Sequence, residues 1–297
     1  MDNSDLWLLM GATSRAVTPT YEPVFDRFCT ENGLNPWTFG LLLAALTFEP
    51  KAISPARLQV RGPYTAASSF LERLQSAAEK GFLVETAPGE FHLTARGRRD
   101  MERRLVDGRA AMAAADPLPA PESRELADLL GRLVQASLAT PPPPDTWSIS
   151  LSLELMPAIQ PPLPYIEQAL SCLAGYRDDA HLAAWQPSGL SAAALEALTL
   201  IWRGEVASLA LVAQRLSARG HAVEVYANAL AELRQRGFLE GPDAGFYLTE
   251  NGRLFRARVE QETNGYFFAP WDCLAPVERE RLALLLTRLR DGLQVAG

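Results

Sequence analysis

The chemistry-bearing side chains are most concentrated at Asp178-Asp179-Ala180-His181, a sequence that could hold a metal ion or transfer a proton. A metal site of this kind needs further ligands at a defined spacing, but His92 and His221 fall in other predicted elements. The GxSxG, HExxH and P-loop patterns of common enzymes do not occur in the sequence. The sequence therefore predicts no enzyme activity, no metal and no cofactor, and it assigns the cluster to helix capping and solvation.

Arginine is the second residue type with chemical potential, because its guanidinium group forms charge-assisted hydrogen bonds with phosphate. Together with nearby polar side chains, the arginines predict contacts with the backbone and base edges of double-stranded DNA. An alternative for the arginine-rich stretch after residue 95 is a solvated helix face with internal ion pairs. The candidate DNA-contacting residues are Arg57, Arg61, Thr65, Ser68, Ser69, Arg73, Arg96, Arg98, Arg99, Arg215, Arg219, His221, Asn228 and Arg234.

Charge and composition limit the class of protein. The chain has 297 residues, of which 48% are hydrophobic, and 28 basic against 35 acidic residues give a net charge of −7. This balance argues against a protein that coats nucleic acid by charge alone but leaves a sequence-specific binder open. The cysteines Cys29, Cys172 and Cys273 are odd in number and far apart, which fits a reducing cytoplasm. The acidic start at Asp2 and Asp5 and the lack of a long apolar run predict a soluble protein without leader or membrane span.

Short motifs recur in the same order in both halves of the chain, which indicates an internal repeat. Gly81-Phe82-Leu83 recurs as Gly237-Phe238-Leu239, and Leu93-Thr94-x-x-Gly97-Arg98 recurs as Leu248-Thr249-x-x-Gly252-Arg253. The leucine-rich segment at 126–133 recurs at 282–289. The spacing between the two copies is the same for the first and third of these matches and one residue shorter for the second. Because the matches share nearly one offset, the sequence predicts two related structural units.

The second unit shows the expected element order most clearly. Between residues 190 and 236, apolar residues at helical spacing predict three helices that end near Gly204, Gly220 and Gly237. Two short strands around the turn at 241–244 follow. Three helices followed by a β-hairpin are typical of a winged helix-turn-helix, with the helix at about 223–236 as its recognition helix.

The first unit has the same order and defines the domain boundaries. Its winged helix covers about residues 38–95, with Tyr64 to Lys80 as the candidate recognition helix. The proline run at 141–144 marks the boundary between the units. We therefore predict a first unit at 1–140, a Pro-rich connector at 141–164 and a second unit at 165–297, with the second winged helix at about 190–249. The connector shows some strand character between Trp147 and Leu155.

These motifs resemble the MarR family of bacterial transcription regulators. The resemblance rests on the Gly-Phe-Leu end of each winged helix, the Leu-Thr-x-x-Gly-Arg start of the next helix and the terminal leucine-rich helices, and covers roughly residues 20–140 and 165–295. It implies a mainly α fold with small β-hairpin wings, in which terminal helices pair two units. Here both units lie on one chain, so the resemblance implies an intramolecular pseudo-dimer that places two recognition helices in successive major grooves.

We further hypothesise that a small-molecule effector gates this regulator by changing the separation of its two recognition helices. Aromatic residues are the candidate lining of an effector pocket, with an ordinary hydrophobic core as the alternative. These residues are Trp7, Trp37, Trp185, Trp202, Tyr266, Phe268 and Trp271.

Two other functions remain open, and the wings favour the first of them, because neither wing contains the basic residue that enters the minor groove in MarR-like proteins. The corresponding stretches, 85–90 and 240–245, carry carboxylates instead. One alternative is a winged-helix module that binds a protein partner and no DNA. The other is a DNA-repair enzyme built from tandem winged helices. Whether the chain forms higher oligomers is left open by the sequence.

Overall fold

The computed structural model describes residues 2–296, so that the ends of the two predicted units at residues 1 and 297 lie outside it. Helices dominate the described chain, and the strands form two small antiparallel hairpins, β1 with β2 and β3 with β4. The elements are α1 (Asn3–Val17), α2 (Glu22–Glu31), α3 (Pro36–Phe48), α4 (Pro55–Arg61), α5 (Ala67–Glu79), β1 (Leu83–Ala87), β2 (Glu90–Leu93), α6 (Ala95–Ala114), α7 (Ala120–Leu138), α8 (Trp147–Leu153), α9 (Pro162–Trp185), α10 (Ala192–Trp202), α11 (Leu209–Arg215), α12 (Val223–Gln235), β3 (Leu239–Glu240), β4 (Tyr247–Leu248), α13 (Glu250–Phe268) and α14 (Pro276–Ala296).

The order of elements from α3 to α7 recurs from α10 to α14. Helix α5 begins at Ala67 and α12 begins at Val223, which is the same spacing as that between the two Gly-Phe-Leu motifs. The other elements recur at nearly the same spacing. We call the elements α3 to β2 the first lobe and the elements α10 to β4 the second lobe. In each lobe, three helices are followed by a two-stranded wing.

Three hydrophobic clusters hold the chain together. One cluster fills the first lobe between Phe28 and Met101, and another fills the second lobe between Ala184 and Val259. The third cluster, which we call the central core, is formed mainly by α1, α7, α9 and α14. In the central core α1 packs on α14, and α9 packs on α7. The lobes are thus attached to a shared helical base. No helix of residues 2–296 has the length and apolar character needed to cross a membrane.

The connector contains a helix where the sequence favoured a strand. Helix α8 begins at Trp147, and the Asp179 carboxylate accepts hydrogen bonds from the backbone N–H groups of Ser148 (2.8 Å) and Ile149 (3.1 Å). Gly175 lets α8 approach α9, since a Cβ there would lie 3.0 Å from the Ser148 carbonyl oxygen. The strand prediction was wrong because capping by a side chain of α9 and packing against that helix outweigh the local alternation. Asp179 does cap a helix, as the sequence suggested.

The repeated Leu-Thr-x-x-Gly motif has a structural role in both lobes. The Thr94 hydroxyl caps α6 by accepting a hydrogen bond from the Gly97 N–H (2.9 Å), and Thr249 does the same for Gly252 (3.1 Å). Each glycine is covered by the last turn before the wing, because a Cβ at Gly97 or Gly252 would overlap the carbonyl oxygen of Phe82 or Phe238. The motif therefore locks the wing onto the following helix.

Alanine substitutions test this role of the glycines. We expect Gly252→Ala to lower the free energy of unfolding by about 1–3 kcal/mol, because the added methyl group meets a backbone carbonyl that cannot move freely. Gly265→Ala, in the same helix with open space around the position, is the control and should raise stability by about 0.5–1 kcal/mol. Urea unfolding followed by circular dichroism measures both. Similar changes for the two variants would contradict the close contact at Gly252.

Candidate nucleic-acid interface

The third helix of each lobe is amphipathic, which leaves one face available to a partner. In α5 the residues Phe70, Leu74 and Ala77 are buried, whereas Ser68 is exposed and Arg73 is partly exposed. The exposed face therefore carries hydroxyl, amide and charged groups that are suited to hydrogen bonding with base edges.

The corresponding face of α12 is less polar. Val223 and Val225 are exposed there beside Glu224 and the candidate residue Asn228. Arg234 points to the wing, where it donates to the Asp243 carboxylate (2.7 Å) and to the Gly241 carbonyl. The two recognition helices thus present different chemistry, and that of the second lobe is apolar and acidic.

Most of the candidate DNA-contacting arginines form ion pairs within the chain. The pairs are Arg61 with Asp178 (3.1 Å), Arg96 with Asp100 (3.6 Å), Arg98 with Glu49, Arg215 with Glu205 (3.1 Å), Arg219 with Glu196 (2.5 Å) and Arg234 with Asp243 (2.7 Å). Arg57 instead donates to the Ala52 carbonyl and lies over the Phe48 ring. Arg73 and Arg99 form no ion pair with the residues that the structure describes. Internal pairing reduces the positive charge that is available to bind phosphate. For Arg96 and Arg98 it agrees with the alternative interpretation, a solvated helix face with ion pairs inside the protein.

The N-terminal ends of the two recognition helices are in contact. The Ala66 N–H donates a hydrogen bond to the Arg219 carbonyl oxygen (2.9 Å), and His221 Nε2 lies 3.0 Å from the Tyr64 carbonyl oxygen. Gly220, with a φ of +73°, is pressed against Ser69, so that a Cβ at Gly220 would overlap the Ser69 hydroxyl. We call this the interlobe contact.

The interlobe contact covers several candidate DNA-contacting residues. Thr65 is buried at 8% exposure, and Ser69, Arg219 and His221 contact the opposite lobe. Helix-turn-helix dimers read two half-sites about 34 Å apart with the N-terminal residues of their recognition helices. Ends that touch cannot reach two successive major grooves, so the described conformation is closed with respect to this mode of DNA binding.

The aromatic residues predicted to line one effector pocket are distributed over several environments. Trp271 is fully buried against Phe267 and Phe268 in the central core, and Trp7 packs edge-on against Phe267. Tyr266 packs at the edge of this core. Trp185 is buried near Tyr64, Trp202 lies beneath the Arg256 guanidinium, and Trp37 is 69% exposed. The structure therefore does not bring the predicted residues together around one cavity; most of them contribute to hydrophobic packing.

A cleft of about 360 Å³ lies elsewhere, between the first lobe and helices α8 and α9. We call it the first-lobe cleft. Its lining includes Tyr21, Phe25, Phe39, Leu43, Arg61, Leu105, Arg109, Met112, Leu155, Glu167, Gln168 and Ser171. A neighbouring cleft of about 550 Å³ shares Leu43, Arg61, Ser152 and Leu155 with it and extends to Tyr64 and Arg219 at the interlobe contact. A molecule in the first-lobe cleft would thus lie next to the elements that hold the lobes together.

The first-lobe cleft encloses a charged group. Glu167 Oε1 accepts hydrogen bonds from the Tyr21 hydroxyl (3.2 Å) and the Ser171 hydroxyl (3.2 Å). Burial raises the pKa of the Glu167 carboxyl above its usual range and also raises the pKa of Tyr21. The Arg109 guanidinium donates to the Leu155 carbonyl (2.5 Å), and burial lowers its pKa. Sequence reasoning missed this site, because its polar residues come from helices far apart in the chain.

The equivalent position beside the second lobe, between α9 and α13, is filled by a network of the chain's own side chains. Arg177 donates to Glu260 (2.8 Å), which also pairs with the buried Arg256 (3.0 Å). His181 lies beside this network, with Nδ1 3.2 Å from the Thr263 hydroxyl. Burial, assisted by the Arg256 charge, lowers the pKa of His181 from 6.5 to about 4. The two halves of the molecule therefore differ most where one has a cleft and the other has ion pairs.

Comparison with known proteins identifies one relationship. The model of a family described as a helix-turn-helix family matches residues 102–297, about two thirds of the chain. The matched range includes the whole second lobe and begins after the wing of the first lobe. Searches of curated proteins and of solved structures gave no significant match.

The pH dependence of unfolding tests the environment of His181. The folded chain keeps the imidazole neutral down to about pH 4, whereas the unfolded chain binds a proton below the usual pKa of 6.5. The free energy of unfolding should therefore fall as the pH drops through this window. Between about pH 7.5 and about pH 5, we expect His181→Gln to lose less stability than the wild type in urea unfolding, since glutamine does not titrate. His92→Gln serves as the control. The same pH slope for His181→Gln and wild type would show that His181 is not held neutral.

Proposed function

Because the chain belongs to a helix-turn-helix family, we propose that it is a DNA-binding transcription regulator that works as a single-chain pseudo-dimer. The observation that carries the proposal is the occurrence of two helix-turn-helix lobes, each with a wing and an amphipathic third helix, on one helical base. A monomeric chain would then read two half-sites, which differ because α5 and α12 present different side chains. Sequence-specific recognition fits the net charge of −7 better than binding by charge alone.

Reciprocal ion pairs support the pseudo-dimer. Arg132 on α7 donates to Glu278 on α14 at 2.5 Å. The equivalent residues of the repeat form the matching pair, with Arg288 donating to Glu122 at 2.5 Å. A contact that recurs with its partners exchanged is expected at a two-fold, isologous interface.

A third ion pair marks where the approximate two-fold axis would pass. Glu125 and Arg281 occupy equivalent positions of the two repeats, and their side chains are joined at 2.8 Å and 3.0 Å. Equivalent positions meet each other only near a two-fold axis. The packing of the helices agrees with a two-fold axis at this place, since α1 packs on α14 and its counterpart in the repeat, α9, packs on α7.

The regulation that we propose is a shift between closed and open conformations. Opening separates Ala66 from Arg219, exposes Thr65 and Ser69, and frees the recognition helices to reach successive grooves. A small molecule in the first-lobe cleft favours whichever conformation it binds more tightly. Its contact with Arg61, which bridges to Asp178 in the closed conformation, couples the cleft to the interlobe contact.

A second candidate function is favoured by the surface of the second lobe. Exposed Val223 and Val225 on α12, together with acidic Glu224 and the acidic wing residues Glu240 and Asp243, suit a protein partner better than phosphate. In this alternative, α12 binds a protein that carries apolar and basic groups.

Selection of duplexes from a random pool, followed by fluorescence anisotropy on the enriched sequence, tests the proposed function. We expect Gly220→Leu to bind the enriched duplex about tenfold more tightly than the wild type, because the side chain wedges the closed ends apart and removes the cost of opening. Gly204→Leu is the matched control: Gly204 has a similar φ of +71° but no neighbour within 4 Å of its Cβ position.

The comparison of the two variants separates the effect of opening the interlobe contact on DNA affinity from the effect of straining the backbone at a glycine with positive φ. If Gly204→Leu gains as much affinity as Gly220→Leu, the closed contact does not control binding. If no duplex is enriched by either the wild type or Gly220→Leu at about 50 mM salt, where phosphate contacts are strongest, DNA binding is excluded and the protein-partner function is favoured.

A further inference from the structure

Two ionisable groups of the first-lobe cleft, Glu167 and Arg109, form no ion pair with any of the described residues. Glu167 receives hydrogen bonds only from neutral hydroxyl groups, those of Tyr21 and Ser171. Arg109 uses one terminal nitrogen for the Leu155 carbonyl, which leaves its other N–H groups for a further acceptor. A buried charge is usually paired, so an enclosed carboxylate and an enclosed guanidinium together suggest a ligand that carries both complementary groups.

Glu167 and Arg109 are brought to one cleft by α9 and α6 but do not pair with each other. Burial has the largest effect on both groups, raising the pKa of Glu167 and lowering the pKa of Arg109, and the charge of each group partly opposes the shift of the other. Both side chains line the same cleft. A small molecule with an ammonium group and a carboxylate group would fit between them, each group facing the opposite charge.

Aromatic rings form one side of the same cleft. Phe25 and Phe39 are stacked with their centroids 4.1 Å apart, and the Tyr21 ring lies 5.4 Å from Phe25. The rings offer an apolar surface for a ligand ring, and their faces also attract a cation. The cleft volume of about 360 Å³ is at the lower end of the range for small organic ligands.

Beside the second lobe, a side chain of the protein itself fills the position that is equivalent to the first-lobe cleft. Arg177, which is the counterpart of Tyr21 in the repeat, extends its guanidinium to Glu260 and lies over the rings of Trp7 (5.7 Å) and Phe267 (5.1 Å). A cation of the chain is therefore held there by a carboxylate and aromatic faces. Beside the first lobe the equivalent residue is Tyr21, which carries no positive charge. Helix α8 from the connector closes one side of the cleft there.

We propose that the first-lobe cleft binds one aromatic zwitterion per chain, an α-amino acid or a close derivative. Its ammonium group binds Glu167, its carboxylate binds Arg109, and its ring packs on Phe25 and Phe39. The second lobe takes no such ligand, because Arg177 already occupies the equivalent position. The regulatory consequence rests on the proposed function, whereas the binding itself does not involve DNA.

Calorimetric titration of the full chain with three probes tests the ligand class. The probes are L-phenylalanine, phenethylamine, which lacks the carboxylate, and 3-phenylpropanoate, which lacks the amine. We expect L-phenylalanine to bind with one site per chain and at least about tenfold more tightly than either analogue, since each analogue leaves one enclosed charge without a partner.

Two substitutions test which residue binds the ammonium group of the ligand and which binds its carboxylate. Glu167→Gln keeps an acceptor oxygen for Tyr21 and Ser171 and should weaken L-phenylalanine and phenethylamine about tenfold, with little effect on 3-phenylpropanoate. Arg109→Gln should weaken L-phenylalanine and 3-phenylpropanoate and spare phenethylamine. The controls on the same helix as Arg109 are Glu102→Gln and Arg103→Gln, both at exposed positions outside the cleft. Thermal unfolding of each variant checks that it is folded.

The outcomes separate the ligand site from the proposed function. The ligand proposal is overturned if none of the probes binds, if the three bind equally, if two molecules bind per chain, or if a folded Glu167→Gln keeps the wild-type affinity for L-phenylalanine. If L-phenylalanine binds as expected while no duplex is enriched, the ligand site stands and the DNA-binding function fails.

Discussion

The shared central core is the constraint on which the rest of the structure depends. Because α1 packs on α14 and α9 packs on α7, each half of the chain completes the hydrophobic base of the other. The interlobe contact is smaller: two hydrogen bonds worth about 0.5–1.5 kcal/mol each, together with the packing of Tyr64 near Trp185. In the conformational change that we propose, the lobes would separate at this cost, which the binding of a ligand would offset, while the central core stays intact.

Asymmetry between the halves is concentrated at one position. The connector adds α8 to the first lobe, where Asp179 caps it and Trp147 contacts Phe48. The second half has Arg177 and Glu260 in the equivalent place and keeps it filled. In the regulation that we propose, this asymmetry would make the chain respond to a ligand at one cleft only, whereas a symmetric homodimer would present two equivalent clefts.

Local sequence patterns predicted most of the helices and strands. The features that they did not predict depend on contacts between residues that are far apart in the chain. The glycines at Gly81 and Gly237 and the threonine caps at Thr94 and Thr249 act within a few positions of the chain, so their pattern indicates helix and wing ends directly. The interlobe contact joins backbone groups from opposite halves of the chain, and backbone groups leave no pattern in the sequence. The first-lobe cleft likewise combines side chains from separate helices, and the aromatic residues were an unreliable guide because large rings more often fill cores.

The internal pairing of the arginines and the closed conformation have a common consequence for recognition. A chain with most of its candidate guanidinium groups in internal ion pairs would gain little from counterion release, so the DNA binding that we propose would depend more on direct contacts by α5 and α12. Those contacts need the helix ends that the interlobe contact covers. Opening the lobes would expose Ser69 and also release Arg61 from Asp178 on α9. Geometry and charge would then change in the same step, and the ligand that we propose for the first-lobe cleft would lie beside Arg61, where it would affect both.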